Sequence, residues 1–214
     1  MKTIPFVSAR DIEAGAHTAA GHLRADGLLA YPTETVYGFG CALSGAALTR
    51  LATLKRRDAA KPFLILVPAW PPAGVIWTPV ADQLAHAFWP GPLTLVLAAA
   101  SDAFPAAVCD DHGRVAVRAT PHAGMRRVLE LLGAPITSTS ANAPGKAPAR
   151  DAHEAEAAFD ALGVLDGLVL DGGRLPASAS STIVDASGAR PRIMRQGAIG
   201  TDAVTQGFGG VDVA

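Results

Sequence analysis

Thiols, aromatic rings, net charge and long apolar runs are all scarce in this 214-residue chain, and each scarcity removes a class of protein. Two cysteines, Cys41 and Cys109, cannot staple a secreted fold, so both are expected to be reduced and mainly structural. Pro, Gly or charge breaks every apolar run short of the roughly 18 to 20 residues that a membrane helix needs. Met1 to Arg10 also lack the basic-then-apolar order of a signal peptide, so a cytoplasmic location is expected. A formal net charge of -1 gives no broad excess of Lys and Arg for tight non-specific nucleic-acid binding.

Familiar site signatures are missing too. Neither G-x-x-x-x-G-K-S/T nor G-x-G-x-x-G occurs, which argues against a P-loop or a Rossmann nucleotide site. The six histidines form no H-x-x-x-H or Cys/His group, which speaks against zinc, and the lack of a G-x-S-x-G elbow disfavours a serine hydrolase.

What remains is a folded globule: half the residues are apolar and 17% charged, with 22 glycines and 16 prolines spread as punctuation. One catalytic domain is expected over residues 1–200, with 201–214 a tail whose Gly-rich end frays. Ser8 and Asp11 resemble a capping box ahead of a helix carrying Ile12, Ala16, Ala19 and Leu23. Leu28 to Tyr31 reads as a buried strand stopped by Pro32. A second helix carries Ala47, Leu48, Leu51 and Leu54, with cations at its C-terminal end, and a third spans Val80 to Phe88. Further helices are expected over Pro121 to Leu132 and Asp151 to Leu162. Phe63–Val67, Leu93–Ala98, Val115–Arg118, Ile136–Ser138, Leu168–Leu170, Thr182–Val184 and Arg192–Met194 read as short strands. Such a mixture predicts an α/β or α+β sheet flanked by helices.

Polar residues recur at the ends of these strands, where open sheets place ligands. Lys55, Arg56, Arg57 and Lys61 form a local positive patch that suits either a phosphate chain or a solvated helix end. Thr33 and Thr35 could orient a substrate or cap a turn, and Gly38 and Gly40 permit a close backbone approach or an ordinary turn. In the run Thr137 to Asn142, residues 138 and 140 face the same way on an extended backbone, as for a ligand, though a loop of self-satisfied hydroxyls remains open. Ser178, Ser180, Ser181 and Thr182 form a second hydroxyl cluster. Arg118 ends an apolar strand, where an unpaired charge is costly, so it is expected to meet a carboxylate from the protein or from a ligand. Arg195 follows the same logic.

Seven blocks in order resemble the YrdC/Sua5 family of threonylcarbamoyl-AMP synthases in its short, single-domain form. They are Tyr31-Pro-Thr-Glu-Thr-Val-Tyr-Gly-Phe-Gly, Lys55-Arg-Arg with Lys61-Pro-Phe, Trp89-Pro-Gly-Pro-Leu-Thr, Val115-Ala-Val-Arg, Ser138-Thr-Ser-Ala-Asn, Ser181-Thr-Ile-Val-Asp and Arg195-Gln-Gly-Ala-Ile. The resemblance implies an open, twisted mixed sheet with helices on both faces and a large concave cleft. It implies a nucleotidyltransferase that converts L-threonine, bicarbonate and ATP, with Mg2+ on the triphosphate, to threonylcarbamoyl-AMP and pyrophosphate. That product would feed the threonylcarbamoyl modification of adenosine 37 in tRNA through a separate transferase complex. On the same basis Thr33, Arg118, Ser138 and Ser181 would bind threonine, and Lys55, Arg57, Lys61, Arg114, Ser140, Asn142 and Arg195 would surround ATP, with Lys55 and Arg57 closest to catalysis. Glu34 is a candidate magnesium ligand. Asp58, Phe39 and Pro148 depart from the family pattern. An RNA-binding module, for tRNA or double-stranded RNA, and a related enzyme with another carbamoyl or nucleotide reaction are the competing readings.

Overall fold

Ser8 begins the first helix with both bonds of a capping box: the Asp11 amide donates to Ser8 Oγ, and the Ser8 amide donates to Asp11 Oδ2. In this computed structural model, which describes residues 1–57, 61–206 and 212–213, six helices follow from comparable local signals. They are α1 (Ala9–Arg24), α2 (Gly45–Leu54), α3 (Pro79–Phe88), α4 (Ala123–Leu132), α5 (Ala152–Ala161) and α6 (Thr201–Thr205). Ser44, Thr78 and Asp151 cap α2, α3 and α5 through side-chain oxygens, and Gly133, at φ +70°, ends α4 in the left-handed region that favours glycine.

The strands are β1 (Lys2–Pro5), β2 (Leu29–Tyr31), β3 (Gly38–Gly40), β4 (Leu64–Leu66), β5 (Leu93–Ala98), β6 (Arg114–Arg118), β7 (Ile136–Ser140), β8 (Leu168–Asp171), β9 (Thr182–Asp185), β10 (Arg192–Arg195) and β11 (Asp212–Val213). Among the described residues they form one sheet in the order β1-β8-β2-β3-β7-β4-β6-β5-β9-β10-β11. Its pairings are mixed: β8 lies parallel to β1 and β2, whereas β7 lies antiparallel to both β3 and β4.

Side-chain alternation divides the apolar residues between two faces. Leu28 and Ala30 join a core with Leu48 and Leu51 of α2, Leu84 of α3 and Phe159 of α5; Leu29 and Tyr31 join a second core with Ala16, Ala19 and Leu23 of α1 and Val128 and Leu129 of α4. Helices thus cover both faces. Phe39 stacks on Phe159 at 4.1 Å between centroids, which gives its ring a packing role.

Three features depart from the sequence reading. Lys2–Pro5 forms an edge strand beside β8 although its pattern announces none. Gly38 and Gly40 lie in β3, a strand the sequence does not announce, and of their two readings they meet the close backbone approach and not the turn: a Cβ on Gly40 would stand 2.3 Å from the Thr137 carbonyl oxygen and 2.9 Å from the Tyr31 ring. Residues just after Gly200 form a helix the sequence reading does not place, α6, with Val204 buried in the larger core, while the Gly-rich end expected to fray lies outside the described residues. Asp58 falls outside the described residues.

Candidate active site

Seven neighbouring strands, β3-β7-β4-β6-β5-β9-β10, open on one face into a cavity of about 310 Å³. Period-two alternation delivers its walls: Ala116 and Arg118 from β6, Ser138 and Ser140 from β7, and Ser181 and Ile183 at the start of β9. The loop after β2 adds Thr33, Thr35 and Val36, while Arg57 and Arg195 enter from opposite sides of the chain order. None of the residues lining the cavity is acidic, so three guanidinium groups make it a receptor for anions.

All four residues expected on the threonine side line this cavity: Thr33, Arg118, Ser138 and Ser181. Arg118 is 5% exposed, and its Nη2 donates to Glu34 Oε1, while the Thr120 hydroxyl donates to Glu34 Oε2 at 3.2 Å. The Nε–H of Arg118 is buried with no acceptor. Arg118 therefore meets a carboxylate of the protein while still lining the cavity. Thr33 Oγ1 donates to the Val36 carbonyl at 2.6 Å and accepts from the Thr35 amide at 3.1 Å, so it caps the turn as well as lining the cavity. The Ser181 and Thr94 hydroxyls lie 2.9 Å apart, and Arg195 Nη2 donates to the Ser181 carbonyl at 2.8 Å. Burial, and then the nearby Arg118, hold the Arg195 pKa below its ordinary value.

The residues expected around ATP are less uniformly placed. Arg57, Ser140 and Arg195 line the cavity. Lys55 and Asn142 stand behind Ser140: Lys55 Nζ donates to the carbonyls of Ser140 and Asn142 and to Asn142 Oδ1 at 2.8 to 2.9 Å, and Ser140 Oγ donates to the same Oδ1. Lys55 does not interact with the end of its own helix, as the dipole reading suggested; it clamps the end of β7. Burial, with Arg57 adding to it, pushes its ammonium down to about 8. Arg57 stacks on Phe63 at 4.6 Å and donates to the Lys61 and Pro62 carbonyls. Lys61 itself is exposed and outside the cavity, and so is Arg56.

Arg114 is also outside the cavity. Its Nε donates to Asp110 Oδ2 at 2.8 Å and its Nη1 to Asp185 Oδ2 at 2.7 Å, so two carboxylates of the protein divide the guanidinium. Both Glu34 oxygens accept from protein donors, which leaves a poor magnesium ligand. No trio of His, Cys, Asp and Glu that could hold a metal occurs among the described residues. Cys41 is buried, and its thiol is pushed up to about 11 by that burial. Pro148 lines a separate groove beside α5.

Thr94 and Tyr37 also line the wall; the sequence reading places both within its quoted blocks but gives neither a role of its own. A single hydroxyl inside the apolar strand Leu93–Ala98 is the signal for the first. Tyr37 gives no comparable signal, because its hydroxyl is recruited by Gly172 and Gly173, far away in sequence.

Residues 22–197 match the family model of the Sua5, YciO and YrdC proteins, which is described as telomere recombination. The threonylcarbamoyl-AMP synthase of Pyrococcus abyssi is 34% identical over 199 residues, 91% of this chain but 57% of that protein, so this chain spans little more than half of that relative. The threonylcarbamoyl-AMP synthase of Thiobacillus denitrificans is 38% identical over 154 residues, 69% of this chain and 81% of that protein. The crystal structure of P. abyssi Sua5 complexed with L-threonine matches with a TM-score of 0.90 at 32% identity, covering 100% of this chain and 63% of that one.

Proposed function

Because the chain belongs to the Sua5, YciO and YrdC family, we propose that it is an L-threonylcarbamoyladenylate synthase, joining L-threonine, bicarbonate and ATP into threonylcarbamoyl-AMP with release of pyrophosphate. One observation carries this reading: a cavity without acids, in which the buried Arg118 shares the wall with the hydroxyl residues Thr33, Ser138 and Ser181. That donor set suits a small hydroxy amino acid held by its carboxylate.

The chemistry asks for alignment more than for covalent catalysis. Threonine's amine adds to the carbon of bicarbonate and a water departs to leave a carbamate, and a carbamate oxygen attacks the α-phosphorus as pyrophosphate leaves. Both partners are anions, so the protein must offset their repulsion and hold the reacting atoms together. Arg118 with Thr33, Ser138 and Ser181 would fix threonine. Arg57, Arg195 and Ser140 would face the phosphates, with Lys55 and Asn142 shaping the strand end behind them. Lys61 would reach the triphosphate from the rim, and magnesium travelling with ATP would screen its charge. Residues 1–200 would carry the reaction, with α6 packed against them. No described helix is long and apolar enough to cross a membrane, and we place the reaction in the cytoplasm, with the adenylate passed to a tRNA threonylcarbamoyl transferase.

Purified protein given ATP, magnesium and bicarbonate should release pyrophosphate only when threonine is added. Release no greater than the threonine-free control sinks the proposal.

A further inference from the structure

Glu34 sits between two cavity residues yet stays out of the cavity. Thr33 and Thr35 line the wall, whereas the Glu34 carboxylate accepts from Arg118 Nη2 and from the Thr120 hydroxyl. Its side chain is 18% exposed and that of Arg118 is 6% exposed, so the pair is largely removed from water. A guanidinium buried that deeply without a counter-charge would be costly. A second cation, Arg195, faces the same space.

The pair is also incomplete. A salt bridge that served stability alone would satisfy the buried donors, because a buried N–H without an acceptor costs free energy. Here Arg118 Nε has none, and the only other such side-chain group among the described residues, Arg150 Nε, is not part of this cavity. The guanidinium is therefore held by Glu34 with one buried N–H left unsatisfied, and the residue lines a cavity whose walls carry hydroxyls and cations.

We propose that Glu34 is the positioning residue for Arg118, anchoring it with Thr120 so that the guanidinium is held in the wall where the carboxylate of the amino acid substrate would bind. This rests on the reading of the cavity as a threonine site. The segment Thr33 to Thr35 then works in two directions. Its threonines line the cavity, and its glutamate supplies the counter-charge that lets a buried arginine stay ionised and fixed. Such an arginine pays little reorganisation on binding. Glu34 is accordingly committed to Arg118 and is not a ligand for magnesium.

The test compares Glu34→Gln, Glu34→Ala and Glu34→Asp with the wild type, by threonine titration in a calorimeter and by steady-state pyrophosphate release. Glu34→Gln keeps the shape but loses the charge. It should raise the threonine KM and Kd by on the order of tenfold, with kcat and the ATP KM within about twofold of wild type. Glu34→Ala should do more, and Glu34→Asp, which restores the charge, should recover most of the loss. An unchanged threonine KM in Glu34→Gln overturns the inference, as does a parallel loss in kcat and both KM values with a lowered Tm, which is the mark of a merely structural pair. Should the wild type release no threonine-dependent pyrophosphate, the synthase reading fails; the calorimetric comparison still decides whether Glu34 governs amino acid binding.

Discussion

The two halves of the cavity are built in different ways. On the side proposed for the amino acid, Thr33, Arg118, Ser138 and Ser181 all reach the wall, and Arg118 and Ser181 are each 5% exposed. On the nucleotide side, only Arg57, Ser140 and Arg195 line the cavity; Lys55 is spent on backbone carbonyls, Lys61 is exposed, and Arg114 is held by two aspartates. The contrast follows from what each ligand demands. A small amino acid is recognised by a few short contacts that must exist before it binds, so its site is buried and rigid. A triphosphate is large and highly charged, and it can gain from cations that surround it without touching it.

If that distinction holds, damage should be severe and selective on the first side and graded on the second. Arg118→Ala should have the largest effect, because it removes the carboxylate partner and leaves Glu34 buried without its cation. We expect a loss of on the order of a hundredfold or more in kcat/KM for threonine with ATP binding little altered, measured by pyrophosphate release and by nucleotide titration. Comparable losses for both substrates would dissolve the comparison. Ser181→Ala comes next, at about five- to tenfold in the threonine KM, since it deletes one neutral hydroxyl that also contacts Thr94.

What the sequence discloses follows the same division. Strand-end residues are legible, because a buried strand read at period two places Ser138 with Ser140 and sets Arg118 at its end. The capping box at Ser8 and the left-handed end at Gly133 are legible for equally local reasons. Long cations are not. Lys55 reaches Ser140, 85 residues away, and Arg114 reaches Asp185, 71 residues away, besides the nearby Asp110; no local pattern announces the distant partners. β3 escaped as a strand because glycine is depleted in strands; the close approach its two glycines permit is legible, but not that Thr137 and Tyr31 are what approach.

Lys55 sharpens the comparison through pH. Its ammonium, lowered to about 8 by burial and by Arg57, stays charged below that value and loses its proton above it. The positive potential behind Ser140 should therefore fade as pH rises from 7 to 9. ATP affinity should weaken by about three- to fivefold across that range, a modest change because the charge acts at a distance and is screened. Threonine affinity, set by the guanidinium of Arg118, should hardly move. Lys55→Met should start at the weaker ATP affinity and show no step, and a step that survives in this variant would assign it to another group.

The smallest effect on catalysis is expected at Arg114, where the resemblance to the family and the geometry disagree. If its guanidinium belongs to Asp110 and Asp185, Arg114→Ala should change the ATP KM by no more than about twofold while lowering stability by about 1 to 3 kcal/mol, because two partly buried carboxylates lose a shared cation, although Arg192 and Ser187 still reach Asp185. The pH dependence carries the sign of that pair. Burial alone would raise both carboxyls, but hydrogen bonds and the cation hold Asp110 and Asp185 below their ordinary 3.8. Their contribution is therefore complete above that value and is lost as pH falls through the depressed values. The stability gap between wild type and variant, read from denaturant titrations, should be constant from pH 5 to 7 (roughly) and close below about pH 4. A large loss of ATP binding with no stability gap would return Arg114 to the nucleotide side and make the two halves of the cavity more alike than their burial suggests.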